Sequence, residues 1–344
     1  MEIRARPWTK VSPPRKVLAI RLQAMGDLVI TLPYLQHLRK SLPAGSELDL
    51  LSRKEVDSIP KSILLFNKIY SVGGGRDQIK QLFHCLYLLP QLMSRGYDLI
   101  IDLQNNRISR MVRMSLMPKA WSTFDRFSPS AAGERTRLTI EAAGLGNCVA
   151  DTKFRVNSMP FVIDMLCKQG WDSGKELILL NPAGAFESRN WPIDHFVAFA
   201  QLWLRVFPET QFLVLGTALI ESKAIYLKNS LGKQLINLVN LTTPAQAFAI
   251  IQQLKLVLSE DSGLMHMAWV SGIPTLALFG STSSVWSRPL GDQTSFLDSA
   301  DLECGPCMKE KCKFGDTPCL SRYSAEEVFN KALTLVRQHR ISRD

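Results

Sequence analysis

The chain has 344 residues, more than a single domain usually contains, so its length predicts two domains. Apolar residues make up 46% of it, which excludes intrinsic disorder, and no apolar stretch reaches the ~18–20 residues needed to cross a bilayer. The net charge of +10 resides in residues 1–160, with 24 Lys and Arg against 13 Asp and Glu, whereas the remainder carries 17 against 18. The first half is therefore expected to meet an anionic partner, which could be a nucleic acid, a lipid headgroup surface or an acidic substrate.

The N-terminus and the cysteines indicate the compartment. The basic N-terminus lacks the apolar core and cleavage site of a secretory signal. Seven cysteines without an export signal are typical of a reducing compartment, so we expect a cytoplasmic protein with thiols or metal ligands rather than disulfides. Cys85, Cys148 and Cys167 lie in apolar contexts and are expected to be buried.

The first half alternates strand-like and helix-like segments. Apolar runs predict strands at 17–22, 47–51, 68–72 and 97–103, and leucines at helical spacing predict a helix from 28 to Pro43. A second, strongly apolar helix is predicted at 78–95. Packing in the core and contact with a membrane surface are both open for this helix. Arg107, Arg110 and Arg113 indicate one charged helix face, which is usually solvated.

The second half repeats this alternation after a boundary near 155–175, where Pro and Gly punctuate the chain. Strands are predicted at 177–180, 211–215, 235–239, 254–258 and 275–279, and a last helix at 325–339. Repeated βα units predict parallel sheets covered by helices, here as two Rossmann-like domains facing a cleft. The expected domains are 1–157, 158–321 and a C-terminal helix in 322–344.

The turn Met25-Gly26-Asp27 follows the first predicted strand. Asp is a common N-cap, so Asp27 has an ordinary structural interpretation. A carboxylate at this end of a strand is also suited to act as a general base toward a hydroxyl.

Two turns in the second half predict an anion site. The first runs from Asn181 to Pro192, where Gly184 and other small residues accompany Arg189, a multidentate clamp for phosphate oxygens. It is not a Walker loop, and no G-x-G-x-x-G follows the first strand, which disfavours ATP-driven phosphoryl transfer and dehydrogenase chemistry. The second turn is Ser259 to Gly263, and the helix after it would aim free N–H groups at a phosphate. Both turns follow strands of the same sheet and are expected to converge on one ligand.

With these motifs the chain resembles the heptosyltransferases, glycosyltransferase family 9. The resemblance rests on Gly26-Asp27 followed by Pro33, on N-P-A-G-A with R-N-W-P, and on D-S-G-L-M-H followed by G-I-P-T-L-A-L-F-G-S-T, and it spans about 17–320. It implies a GT-B fold, an acceptor bound by the first domain, a nucleotide sugar bound by the second, and metal-independent inverting transfer, typically from ADP-heptose.

The resemblance also assigns roles to residues. Asp27 matches the catalytic base, and Arg189 stands where the family often has Lys, in contact with the donor phosphate. Gly184 lies in that donor loop. Glu221 matches more weakly a carboxylate that holds the ribose hydroxyls. The donor-diphosphate turn and its helix are matched by Asp261, Ser262, Gly263, Leu264 and His266, although His266 has the alternative of packing beneath the turn.

The function implied is transfer of a heptose from ADP-heptose to an anionic lipopolysaccharide-core acceptor of the Kdo-lipid A type. The alternatives are a transferase or epimerase using another nucleotide sugar, and a non-catalytic nucleotide-sugar-binding relative. No nucleic-acid partner and no catalytic cofactor are expected. A cytoplasmic protein with peripheral contact at the inner face of the inner membrane fits this acceptor.

Four cysteines form a separate motif after the last predicted strand. Cys304, Cys307, Cys312 and Cys319 fall within a Gly-, Pro- and Lys-rich loop, 304–319. Four thiols within 16 residues could close a tetrahedral structural zinc site. Free or redox-exchanging thiols are the alternative.

Overall fold

The computed structural model describes residues 3–75, 77–154, 156–157 and 159–341. The chain divides into two compact units, Met1–Asn157 and Ser158–Asp344. Residue 158, at the predicted domain boundary, lies outside the described residues. Among those described, no helix combines the length and apolar character needed to cross a bilayer.

The first unit is a helix-covered sheet. Its strands are β1 (Ala5–Arg6), β2 (Lys16–Arg21), β3 (Glu47–Arg53), β4 (Lys68–Val72), β5 (Leu99–Asp102) and β6 (Ala120–Thr123). Its helices are α1 (Met25–Ser41), α2 (Ser58–Ser62), α3 (Gln78–Arg95), α4 (Arg107–Leu116) and α5 (Ala132–Ala142).

The strands of this sheet lie in the order β1-β6-β5-β2-β3-β4, and every pairing is parallel except that of β1 with β6. Strand β2 is buried from Val17 onward because helices cover both faces of the sheet, which is why its sequence is continuously apolar rather than alternating. The predicted strand 97–103 is shorter, and the helix predicted to reach Pro43 ends at Ser41.

The second unit is a second helix-covered sheet. Its strands are β7 (Leu177–Asn181), β8 (Gln211–Val214), β9 (Leu235–Asn237), β10 (Leu256–Glu260), β11 (Thr275–Leu278) and β12 (Thr294–Leu297). Its α-helices are α6 (Met159–Lys168), α7 (Ile193–Val206), α8 (Glu221–Leu231), α9 (Pro244–Ile251), α10 (Gly263–Val270), α11 (Ser284–Ser287), α12 (Pro318–Ser321) and α13 (Ala325–Ile341). Its 3-10 turns are Glu187–Arg189, Ala218–Ile220 and Gly232–Gln234.

This sheet has the order β12-β11-β10-β7-β8-β9 and is parallel throughout. Aromatic residues fill its core, and Phe329 of α13 lies edge-on to Trp203 of α7 at 5.9 Å between ring centroids. The last helix is therefore part of the core of the second unit. The predicted α/β class with parallel sheets is confirmed, whereas β1, β6 and β12 are short strands that the sequence pattern missed.

Candidate functional site

The first unit has a candidate site at the carboxyl end of β2, where Asp27 is the third residue of α1. Its Oδ2 accepts a hydrogen bond from the backbone N–H of Ala24 at 3.1 Å, which satisfies one of the free N–H groups at the helix start. Ala24, not Asp27, occupies the N-cap position. The Asp27 side chain remains 41% exposed, so a ligand hydroxyl can reach it.

Arg21, the last residue of β2, forms an ion pair with Asp27. The Arg21 Nη2 lies 3.0 Å from the Asp27 Oδ1, and Nη1 donates to the carbonyl of Leu103. The Arg21 side chain is only 7% exposed. Burial lowers the pKa of Arg21, and the Asp27 carboxylate opposes that shift. A guanidinium stays charged in proteins, so this pair fixes the position of Asp27.

Two further contacts shape this end of the sheet. The amide oxygen of buried Gln104 accepts hydrogen bonds from the N–H groups of Leu22 and Gln23, at 3.0 and 2.9 Å, and so fixes the turn before α1. The guanidinium groups of Arg21 and Arg135 lie 4.9 and 5.0 Å from the Phe124 ring centroid. Two cations are thereby concentrated beside the Asp27 carboxylate.

In the second unit, the turns after β7 and β10 share one edge of the sheet, because the two strands are parallel neighbours. The fully buried carboxylate of Glu260 joins them. Its Oε2 accepts from the Gly184 N–H at 2.6 Å, and its Oε1 accepts from the Trp191 N–H at 2.7 Å. Both ends of the 181–191 loop are thus tied to β10.

Glu260 is an electrostatically unusual group. Burial raises the pKa of Glu260 to about 7, although Lys223 and the two N–H donors favour the ionised form. Lys223 donates to the Pro182 carbonyl and the Asn190 side chain, each at 2.8 Å. Burial also lowers the pKa of Lys223, against the effect of Glu260. The loop is therefore held by hydrogen bonds to the buried Glu260 carboxyl and from half-buried Lys223, two groups that also attract each other electrostatically.

Arg189 belongs to the same loop, and its side chain is mostly buried, with 18% of it exposed. Its Nη1 is 3.3 Å from the Asp261 Oδ2, which also accepts a hydrogen bond from the Thr282 hydroxyl at 2.8 Å. The Arg189 guanidinium stacks 4.4 Å from the Phe186 ring centroid. The two predicted turns therefore converge through the Arg189–Asp261 pair, and a planar cation faces the region where both turns end.

The start of α10 adds donors to this region. Ser262 is the N-cap of α10, and its hydroxyl accepts a hydrogen bond from the Asn181 amide at 2.6 Å. Gly263 and half-buried Leu264 form the first turn. His266 is buried and its Nδ1 accepts from the Trp269 indole N–H at 3.2 Å. This contact fits the interpretation of His266 as a packing residue beneath the turn.

Glu221 is not joined to this group. It is exposed at the start of α8, and among the described residues no hydrogen bond or ion pair links it to Arg189, Asp261 or Ser262. The neighbouring Lys223 does reach the loop.

The four C-terminal cysteines line one cavity of about 200 Å³ together with Ser188, the residue before Arg189. The Ser188 N–H donates to the Glu310 carbonyl at 3.2 Å, which ties the cysteine-rich loop to the Arg189 loop. All are free thiols, and within the described part of the chain no group of three or more His, Cys, Asp or Glu is placed to hold a metal ion. Elsewhere, Cys85 and Cys148 are buried as expected, whereas Cys167 is exposed and that expectation is wrong.

Sequence reasoning missed several of these residues. Arg21 and Glu260 are charged groups at the ends of otherwise apolar strand runs, and that pattern was a usable signal. Arg135 and Lys223 lie in helices with ordinary surface composition, so only the folded chain reveals them.

Known proteins with this architecture identify its class. The structure of a family 9 glycosyl transferase from Veillonella parvula matches with a TM-score of 0.79 at 18% identity, covering 94% of this chain and 97% of that one. The E. coli heptosyltransferase WaaC with ADP-2-deoxy-2-fluoro heptose matches with a TM-score of 0.63 at 16% identity, covering 93% and 99%. At these identities the likeness shows the fold, which is the GT-B fold of two Rossmann-like domains.

Sequence comparison narrows the class to one family. The model of glycosyltransferase family 9 (heptosyltransferase) matches residues 142–317, slightly more than half of the chain. A lipooligosaccharide heptosyltransferase 2 of Campylobacter jejuni is 28% identical over 173 residues, which cover 48% of this chain and only 52% of that relative. The chain belongs to glycosyltransferase family 9, and the predicted family is confirmed.

Proposed function

We propose that this protein transfers a heptose from ADP-heptose to an anionic acceptor of the Kdo-lipid A type, with inversion at the anomeric carbon. The first unit would bind the acceptor and the second unit the donor. The protein would act in the cytoplasm, in peripheral contact with the inner face of the inner membrane. The observation that carries the proposal is Asp27, a half-exposed carboxylate held by a buried arginine at the end of β2.

Asp27 suits the role of general base for geometric reasons. Arg21 and the Ala24 N–H orient its carboxylate, which leaves lone pairs available on the exposed side. Arg135 and Arg21 add positive charge around Phe124, where an acidic acceptor would gain from it.

Arg189 suits the donor diphosphate. Its guanidinium can form two parallel hydrogen bonds to phosphate oxygens, and Phe186 and Asp261 fix its plane beforehand. The N–H groups that begin α10 at Gly263 would face the same anion. In the E. coli relative, the compound bound is an ADP-heptose analogue, which supports ADP-heptose as the donor.

The reaction would be a single displacement. Asp27 accepts the proton of the acceptor hydroxyl as its oxygen attacks the anomeric carbon. The bond from that carbon to the diphosphate oxygen breaks, and ADP leaves with the electron pair. Arg189 and the start of α10 would stabilise the charge that develops on ADP without a metal ion.

Transfer assays in EDTA with ADP-heptose and Kdo-lipid A test the proposal. We expect turnover by the wild type and a loss of about 10²–10⁴-fold in Asp27→Asn, with unchanged ADP affinity in calorimetry. Asp292→Asn makes the same chemical change at an exposed position and should retain full activity. Wild-type turnover only with another nucleotide sugar would overturn the assignment of ADP-heptose as the donor. Failure to bind any nucleotide sugar would overturn the proposal that the protein is a glycosyltransferase.

We also propose a structural metal at Cys304, Cys307, Cys312 and Cys319. What supports it is that all four thiols line one small cavity, although zinc binding would have to draw their sulfur atoms together, because the described residues hold no preformed metal-binding group. The contact between this loop and Ser188 would let the metal steady the neighbouring Arg189.

A further inference from the structure

Helix α3 presents an unusual apolar face to solvent. Ile79 is 68% exposed, Phe83 64% and Tyr87 82%, and Leu86 and Met93 are exposed as well. With 3.6 residues per turn, these five side chains fall on one side of the helix. Single exposed apolar residues need no explanation, but a contiguous face of this kind usually marks an interaction site.

The opposite side of α3 anchors it to the sheet. Cys85 and Leu92 of α3 share one hydrophobic cluster with Ile108 and Val112 of α4 and with inward-facing residues of β2, among them Ile20. Helices α3 and α4 therefore lie side by side on one face of the sheet. The outward face of α3 is additional to the surface that folding of the first unit already buries.

The charges of the two helices share one sign. Across α3 and α4 there are five Lys or Arg and no Asp or Glu, although Lys80, Arg95 and Arg113 form ion pairs with carboxylates outside the two helices. Beyond α4 lies a cavity of about 770 Å³ whose lining includes Arg4, Arg6, Arg110 and Arg113. Arg113 pairs with Asp102 at 3.6 Å, whereas the other three arginines make no ion pair among the described residues.

Apolar side chains accompany these arginines. Met114 and Met117 line the same cavity and are 65% and 80% exposed. The cavity beside α4 thus combines exposed methionines that could enter a lipid layer with Arg4, Arg6 and Arg110, which have no ion-pair partner among the described residues. A basic, amphipathic surface of this composition is typical of proteins that lie in a membrane interface.

We propose that the outward face of α3, together with the arginine cavity beside α4, docks on an anionic lipid surface. The apolar side chains would enter the boundary between headgroups and acyl chains, and the arginines would bind lipid phosphates. Charge disfavours a second copy of the chain as the occupant, because a two-fold interface would set these arginines against themselves. The inference deepens the proposed function, since it names the surface that brings the enzyme to a membrane-held acceptor.

Vesicle flotation of the full chain tests the apolar face. We expect the wild type to bind phosphatidylglycerol-containing vesicles at least tenfold more tightly than phosphatidylcholine vesicles, with the difference lost at high salt. Phe83→Glu should weaken binding at least tenfold. Phe161→Glu is the matched control, because Phe161 is a 56% exposed phenylalanine on a helix of the second unit. Equal binding by both variants would overturn the proposal.

A second pair of variants tests the arginines. Arg110→Gln should weaken binding to anionic vesicles at least threefold and leave binding to phosphatidylcholine unchanged. Arg337→Gln, an exposed arginine of α13, should have no effect. Saturation of the cavity by inorganic phosphate alone, with no vesicle binding, would identify a soluble anion site and overturn the lipid proposal.

Two further readouts separate the remaining outcomes. Light scattering that shows a wild-type dimer and a monomeric Phe83→Glu variant would assign the face to self-association and overturn lipid docking. Transfer to a water-soluble, delipidated Kdo acceptor should be unchanged in Phe83→Glu, whereas transfer to the vesicle-held acceptor should fall. Loss of vesicle binding with normal soluble transfer would leave the proposed function intact, and failure of soluble transfer in the wild type would refute that function alone.

Discussion

Replacement of Gly184 by alanine tests the architecture of the donor loop. A Cβ at this position would lie 2.7 Å from the Arg189 carbonyl oxygen, 2.8 Å from the Arg189 Cβ and 2.9 Å from the Glu260 Oε2. None of these atoms is the far end of a freely rotating side chain, because Glu260 is fixed by two backbone N–H donors. The loop must therefore move away from β10, and Arg189 moves with it.

The expected loss of stability in Gly184→Ala has two causes. Overpacking of a tight site costs about 1–3 kcal/mol, and weakening the 2.6 Å hydrogen bond from Gly184 to the Glu260 carboxylate adds about 1 kcal/mol or more. We expect the free energy of unfolding of the second unit to fall by about 2–4 kcal/mol. Because about 1.4 kcal/mol corresponds to a factor of ten, even part of this strain should weaken ADP binding at least tenfold.

Urea unfolding and ADP calorimetry measure both effects. Gly174→Ala is the matched control, since its added Cβ would meet only the Asp172 carboxylate at 3.6 Å, an ordinary contact distance. If Gly184→Ala behaves like Gly174→Ala in stability and in ADP affinity, then the close packing of the donor loop has no functional importance and the reasoning is refuted.

Four further predictions concern single groups. Arg189→Lys keeps the charge but loses the bidentate geometry and the Phe186 stacking, so ADP affinity in calorimetry should fall about tenfold; an unchanged value would contradict the clamp. Arg21→Met removes a buried hydrogen bond and an ion pair and should lower the free energy of unfolding by about 1–3 kcal/mol in urea titrations. An unchanged free energy of unfolding would show that these contacts do not stabilise the first unit. Burial raises the pKa of Glu260 to about 7, so the protonated side chain contributes its full stabilisation below pH 4.5. This contribution is lost as the pH rises through 7, which should lower the free energy of unfolding by on the order of 3 kcal/mol. Unfolding at pH 5 and pH 8 should show this loss in the wild type and not in Glu260→Gln. Elemental analysis should find one zinc per chain, lost on replacing Cys312 by serine, whereas a metal-free wild type after zinc loading would refute the site.

The local pattern of apolar residues in the sequence was sufficient to predict the architecture. Buried strands such as β2 and β10 are continuously apolar, and the helices between them repeat every 3.6 residues, so the α/β class and the parallel sheets follow from the chain alone. The turns that carry Asp27 and Arg189 were also recognisable, because the carboxyl ends of parallel strands gather at one edge of a sheet. The short strand β1 escaped detection because two residues carry no periodicity.

Contacts between residues far apart in the chain were decided only by the tertiary structure. Arg135 meets the Phe124 ring that Arg21 also faces, and Glu260 ties together two ends of a loop about 70 residues earlier in the chain. The same holds for α3, whose apolar residues cover most of its circumference and leave one polar stripe at Lys80, His84, Gln91 and Arg95. Periodicity alone does not tell which apolar side of a helix meets the sheet and which meets solvent, because that depends on how the helix packs after the chain has folded.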